Sequence, residues 1–181
     1  MATHDNPWQV LGERDIYDNP WIRVVEHEVI HPAGNPGVYG VVRFRNLAVG
    51  IIPLDHDDHT WIVGQYRFAL NQYSWEIPMG GVPLNTDPLR GAERELREET
   101  GLTAGRWRQI LSVRLSNSVT DEAGIVYVAE DLRQGKPDFD DTEKIEIRRL
   151  PFADAVRMAM EGEITDCLSV TGILKLAAAR S

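Results

Sequence analysis

Three glutamates, Glu95, Glu98 and Glu99, crowd into the nine-residue run Arg94-Glu95-Leu96-Arg97-Glu98-Glu99-Thr100-Gly101-Leu102. At about 100° per residue on a helix, Glu95 and Glu99 stand roughly 40° apart with Glu98 beside them, while Leu89, Ala92 and Leu96 fill the adjoining sector. One flank of such a helix packs inward and the other gathers anionic oxygens. Carboxylates at i, i+3 and i+4 suit a hard divalent cation, and Mg²⁺ commonly takes one or two protein carboxylates together with substrate phosphates. The plainer alternative is a solvated acidic helix, since exposed like-charged i,i+4 pairs cost only about 0.2–0.5 kcal/mol. The helix is well punctuated: Thr86 or Asp87 suits its N-cap, Pro88 its first turn and Gly101 its C-terminal stop.

The elements that must position this helix read as strands and two further helices. Residues 21–30 and 38–44 are rich in β-branched and aromatic side chains, and the turn-forming stretch 31–37 between them predicts a hairpin. Similar runs predict strands at 48–54, 60–66, 74–77, 107–114, 125–129 and 145–150. Residues 152–161, stopped by Gly162, and 168–179, capped by Asp166, predict helices. The order is α/β. Asp55-His56-Asp57-Asp58-His59 offers imidazole and carboxylate donors, but its turn-forming residues between two apolar strands favour a solvated hairpin over a metal site. No repeat or long linker interrupts the chain, so one domain over 1–181 is expected, with 1–46 as an N-terminal strand and hairpin region.

With 181 residues, 43% of them hydrophobic, the chain can bury a substantial core. A formal net charge of −9 argues against a phosphate-backbone binding surface, so nucleic acid is not an expected partner. It also makes metal ions and a few placed arginines necessary if the ligand is itself an anion. The single cysteine, Cys167, has no internal disulfide partner and is expected to be a buried structural thiol. The first residues lack the basic and apolar stretches of an export signal and no run is suited to span a membrane, which makes a cytoplasmic protein the expectation.

The stretch from Gly80 to Leu102 resembles the Nudix hydrolase signature G-x5-E-x7-R-E-U-x-E-E-x-G-U, with U a bulky aliphatic residue. Gly80, Arg94, Glu95, Leu96, Glu98, Glu99, Gly101 and Leu102 match it. One position departs, because the first signature glutamate falls at Thr86, followed by Asp87. Gly64-Gln65-Tyr66-Arg67, Trp75-Glu76-Ile77-Pro78-Met79-Gly80-Gly81, the 116–122 loop and the 162–166 segment look like their counterparts in the Nudix subgroup that splits ADP-ribose and other nucleoside diphosphate sugars.

This resemblance implies a Nudix-type α/β/α sandwich with a mixed sheet, a signature loop-helix-loop and two C-terminal helices. It implies Mg²⁺-dependent hydrolysis of a nucleoside diphosphate sugar to nucleoside monophosphate and sugar phosphate, with Mn²⁺ as a substitute cation, by a homodimer. The metal ligands would be Glu95, Glu98, Glu99 and the backbone carbonyl of Met79, with Glu98 a ligand or an acceptor from a metal-bound water. Arg94 would orient an acidic neighbour. The general base would come from the acidic loop before the last strand, with Glu143 first and Asp141 as alternate, beside Glu98 and Glu99 as catalytic groups. Arg67 is read as a diphosphate contact or a strand-end ion pair. Trp21 and Tyr39 are placed like base-stacking aromatics, and strand alternation puts Tyr39 on one face with Val41 and Arg43. Glu76 and Glu122 are further substrate-loop candidates. Two other readings compete: a broader pyrophosphatase of nucleotide cofactors or triphosphates, and a catalytically weak nucleotide-sugar sensor, the latter suggested by Thr86.

Overall fold

Alternation of apolar residues explains how one strand can serve two cores. In the strand Asn46–Pro53, Val49 and Ile51 join one buried cluster with Val82, Ala92, Leu96, Leu102 and Tyr127. Ile52, pointing the other way, joins a second cluster with Ile62, Ile77, Val126, Phe152, Leu168, Ile173 and Leu176. A sheet buried on both faces needs a helix layer on each side, which is the sandwich.

The computed structural model describes residues 5–136 and 144–180. The chain divides into two compact units, one of residues 1–46 with 116–122 and the other of residues 47–115 with 123–181. In the first, β1 (Gln9–Asp18), β2 (Ile22–Ile30) and β3 (Pro36–Phe44) form an antiparallel sheet in the order β1-β2-β3. The 116–122 segment is tied to β3 through a bridge from Val42 to Thr120, and Asp121 accepts from the Phe44 amide at 2.8 Å.

The second unit holds β4 (Asn46–Pro53), β5 (His59–Arg67), β6 (Gln72–Glu76), β7 (Met79–Pro83), α1 (Pro88–Thr100), β8 (Leu102–Arg114), β9 (Ala123–Gln134), β10 (Glu146–Pro151), α2 (Phe152–Glu161) and α3 (Cys167–Arg180). One sheet runs β7-β4-β9-β8, with β4 parallel to β9 and β8 antiparallel to it, and the other runs β10-β5-β6 with antiparallel neighbours. Helix α1 packs Ala92 and Leu96 into one core, while α2 and α3 pack Phe152, Ala155, Leu168, Ile173 and Leu176 into the other.

Most predicted elements are found, with instructive differences. β1 escaped prediction because Gln9–Asp18 is charged and almost wholly exposed, so it carries no buried alternation. β8 and β9 run to 13 and 12 residues, beyond their apolar centres, because 11 residue pairs link the two strands as a long ribbon that needs no second buried face. Cys167 is exposed, contrary to expectation. It opens α3 just after the capping Asp166, whose carboxylate accepts from the Ser169 amide at 2.8 Å, and the helix turns Leu168, Ser169 and Gly172 inward instead.

Candidate active site

The helix α1 starts where its sequence says it must. Asp87 adopts an extended backbone and accepts from the Leu89 amide at 3.0 Å, Pro88 occupies the first turn, and Gly101 at φ 73° closes the end with its amide on the Arg97 carbonyl. Asp87 is thus the cap, and Thr86 lies in the preceding turn with its amide on the Pro83 carbonyl at 2.8 Å. Burial of Leu96 and Ala92 fixes the rotation of the helix. That rotation carries Glu95 and Glu99 into the interior, at 9% and 3% exposure, and leaves Glu98 half-buried.

Two buried carboxylates on neighbouring turns are costly unless compensated. The Glu99 carboxylate accepts from the Met79 amide at 2.9 Å, which ties α1 to the start of β7. Arg94 donates to Glu95 and, at 2.9 Å, to Glu98, so one guanidinium spans two acids, as the resemblance implied. Gly80 lies so close to Glu95 that a Cβ there would sit 2.2 Å from the carboxyl carbon. Only glycine lets the β7 backbone approach the acid, which gives the first residue of the signature a physical reason.

The same unit brings Arg67 and Glu76 together. Arg67 at the end of β5 grips Glu76 at the end of β6 through Nε, at 3.0 and 3.1 Å to the two carboxylate oxygens, and through Nη2. The pair lines a cavity of about 370 Å³ with Phe68, Leu70, Ser74 and Asp166. The hydrogen bond to Glu76 raises the Arg67 pKa above its usual value against the opposing effect of burial, and the negative charges of Glu76, Glu99 and Asp166 add to the rise. Ser74 and Asp166 are walls that sequence reasoning missed. Ser74 was legible only as lying two residues before Glu76 on the same strand face, and Asp166 only as a cap within the 162–166 segment.

Carboxylate oxygens are the donor chemistry that a hard divalent cation takes, and burial of Glu95 and Glu99 beside the close-packed Gly80 backbone supplies a low-dielectric seat for it. Among the described residues, no three His, Cys, Asp or Glu side chains are drawn into a metal-holding group; Glu95 and Glu98 instead face Arg94. The donor types therefore fit, and Arg94 is the group that would have to share them.

The other candidates stand in the first unit. Trp21 lies at the β1–β2 turn and is 67% exposed. Tyr39 sits mid-strand opposite His27, five residues or roughly 17 Å along β2 from Ile22. Its hydroxyl donates to the Ser118 carbonyl, and its ring meets Trp8 edge-on at 5.3 Å. Tyr39 and Arg43 line one cavity of about 250 Å³ with Trp8, Val10, His27 and Val29, as strand alternation required. Trp8 and His27 were missed. His27 was legible as an inward position of β2, being in step with Val25 and Val29, whereas Trp8 precedes any recognisable pattern. Glu122 follows a turn in which its amide donates to Thr120 at 3.2 Å. Glu143 and Asp141 lie outside the described residues.

Residues 44–166 match the NUDIX domain model, and residues 8–42 match the model described as nucleoside diphosphate sugar hydrolase N-terminal domain. The chain belongs to the Nudix family. Among similar proteins, the ADP-ribose pyrophosphatase of Mycobacterium tuberculosis is 29% identical over 177 residues, covering 96% of this chain and 84% of the relative. The ADP-ribose pyrophosphatase of Bacillus subtilis is 26% identical over 167 residues, covering 91% and 90%. A crystal structure described as ADP compounds hydrolase matches with a TM-score of 0.86 over 98% of this chain and 96% of its own, at 19% identity, which bears on the Nudix fold. No helix among the described residues is long and apolar enough to cross a membrane.

Proposed function

We propose that this Nudix pyrophosphohydrolase splits the diphosphate bond of ADP-ribose or a related nucleoside diphosphate sugar, giving nucleoside monophosphate and sugar phosphate, with Mg²⁺ as its cation. The observation that carries the reading is the seating of Glu95 and Glu99 in the interior against Met79 and Gly80, in the same unit as the Arg67–Glu76 cavity. The names of the Mycobacterium tuberculosis and Bacillus subtilis relatives favour ADP-ribose within that class.

A diphosphate resists water because the phosphorus is screened by negative oxygens, so catalysis is mostly neutralisation and positioning. Glu95, Glu98, Glu99 and the Met79 carbonyl would hold the Mg²⁺. When bound, the cation polarises phosphoryl oxygens and lowers the pKa of a coordinated water. Arg67 contributes a forked guanidinium whose orientation Glu76 sets, leaving its remaining N–H donors for a phosphate oxygen. Arg94 holds Glu95 and Glu98 in register. Glu143, with Asp141 as alternate, is the proposed general base, and Glu98 a further ligand or an acceptor from a metal-bound water.

The first unit supports base recognition and a second copy of the chain. Tyr39 presents a ring anchored at its hydroxyl in an aromatic-lined cavity, which suits stacking of a nucleobase. Val10, Leu11, Ile16, Tyr17, Trp21 and Val38 all expose more than half of their surface on this one sheet or its turn. That much apolar surface is what a homodimer would cover, with Trp21 a candidate to stack on a base across the interface and Glu122 a substrate-loop candidate. Residues 1–181 are read as one hydrolase chain, acting in the cytoplasm on a small nucleotide sugar.

Product identification tests the reading. With Mg²⁺ and ADP-ribose, AMP and ribose phosphate are expected; release of pyrophosphate from nucleoside triphosphates in preference would replace it with the broader pyrophosphatase. Tight binding of ADP-ribose without turnover would favour the sensor, for which Thr86 in its turn, supplying no carboxylate, is the supporting observation.

A further inference from the structure

On α1, Arg90, Arg94 and Arg97 follow one another at i, i+4 and i+7 and so share a face, from which Arg94 also reaches back to Glu95. Together with Glu93 of the same helix and with Thr103, Ala104 and Trp107 of β8 they line a groove of about 350 Å³, a size that fits a small ligand, with three arginines against one acid. In a chain of net charge −9 this is a local concentration of positive charge. The three arginines are unequally engaged. Arg94 is held at 2.9 Å by Glu98, but Arg90 reaches Glu93 only at 3.3 Å and Arg97 reaches Glu98 only at 3.6 Å, both longer than a normal charge-assisted hydrogen bond. Their side chains are 76% and 55% exposed, so most of their N–H donors face solvent at the rim of the groove.

Trp107 gives the groove a different kind of wall. Its indole is half-buried and packs edge-on against Tyr127 at 6.3 Å, and Tyr127 is itself part of the core beneath α1. A rigid indole flanked by guanidinium groups and a threonine hydroxyl matches a ligand with a planar ring at one end and a phosphate at the other. The groove shares no lining residue with the cavity around Arg67 and Glu76.

We infer that the α1–β8 groove is a second ligand site, taking a nucleoside monophosphate with its phosphate between Arg90 and Arg97 and its base against Trp107. The assignment stands on the groove alone and holds whatever bond the catalytic site cuts. The test uses the full chain in EDTA, so that no turnover occurs, and follows the Trp107 indole N–H by NMR, the resonance being the one lost in Trp107→Phe. Titration with AMP is expected to shift that resonance saturably, and Arg90→Gln/Arg97→Gln, two exposed substitutions that leave the core alone, should weaken the effect at least tenfold. Inorganic phosphate should bind about tenfold more weakly than AMP, for want of the stacked base. An indole resonance unmoved by AMP, or equal AMP affinity in the double variant, would overturn the site. Phosphate binding as tightly as AMP would overturn the role of Trp107.

Discussion

Two acidic clusters in this chain have similar composition and opposite fates. Asp55-His56-Asp57-Asp58-His59 makes the turn between β4 and β5, where the Asp55 carboxylate accepts from the Asp57 and His59 amides at 3.0 and 2.9 Å and from Arg149. Asp58 takes φ 60° and pairs with Arg180. Every acid there that makes a contact organises the turn or a surface ion pair. Glu95 and Glu99 are instead driven inward by the apolar sector of their own helix and meet the backbone of Met79 and Gly80. Acid density does not separate these cases. The periodicity of the flanking apolar residues does, because it aims the helix carboxylates at the neighbouring strand β7, whereas Asp55, whose side chain is as buried as that of Glu95, turns back onto its own loop and Arg149.

The sharpest way to break the contrast is Glu99→Gln, which keeps the shape of the side chain but removes its charge. Turnover of ADP-ribose should fall on the order of 10²-fold or more while circular dichroism stays native. Wild-type kcat in a folded variant would put α1 on the same footing as the turn. Gly80→Ala is next. Its methyl would press on the Glu95 carboxyl group, and the displaced acid should lower kcat by roughly 10-fold, with an overpacking cost of about 1–3 kcal/mol seen in urea unfolding. Unchanged stability and activity would mean that the close approach is not needed.

Arg67→Ala sharpens the account of the neighbouring cavity. It strands Glu76, which is 3% exposed, and should cost about 1–3 kcal/mol in addition to raising KM for the diphosphate substrate. A stability loss with no change in KM would assign Arg67 to structure alone. The smallest effect belongs to the turn. Burial alone would raise the Asp55 pKa, but hydrogen bonds from the His59 amide, Arg149 and the Asp57 amide outweigh it and hold the value below the ordinary one. A depressed carboxylate stabilises the fold above its unfolded pKa of about 3.9, and that contribution is lost as pH falls through the folded value. Asp55→Asn should therefore flatten the acid limb of a stability–pH profile and leave ADP-ribose turnover at neutral pH unchanged; reduced turnover would show that this cluster, too, serves the chemistry.

Residues with a period were legible in advance. The caps Asp87 and Asp166, the stops Gly101 and Gly162, and the inward-facing Leu96 were readable from spacing and type, and with them the orientation of the acidic face. β1 was not, because a strand exposed on nearly every residue leaves no hydrophobic trace. The Arg67–Glu76 grip was only half legible. Each residue was marked, but their meeting depends on the β5–β6 register, in which Val63 faces Glu76, and register is a property of two strands at once. Cys167 failed for a related reason, since the general preference of cysteine for interiors lost to the helix phase set by Leu168 and Ile173.

The measurement closest to the central claim is a Mn²⁺ titration, followed by electron paramagnetic resonance, of the wild-type chain and of Glu95→Gln and Glu99→Gln. If the buried carboxylates of α1 seat the cation that makes the diphosphate hydrolysable, the wild type binds Mn²⁺ in competition with Mg²⁺, and each substitution weakens that binding by about 10–100-fold. Equal Mn²⁺ stoichiometry and affinity in all three folded proteins would contradict it.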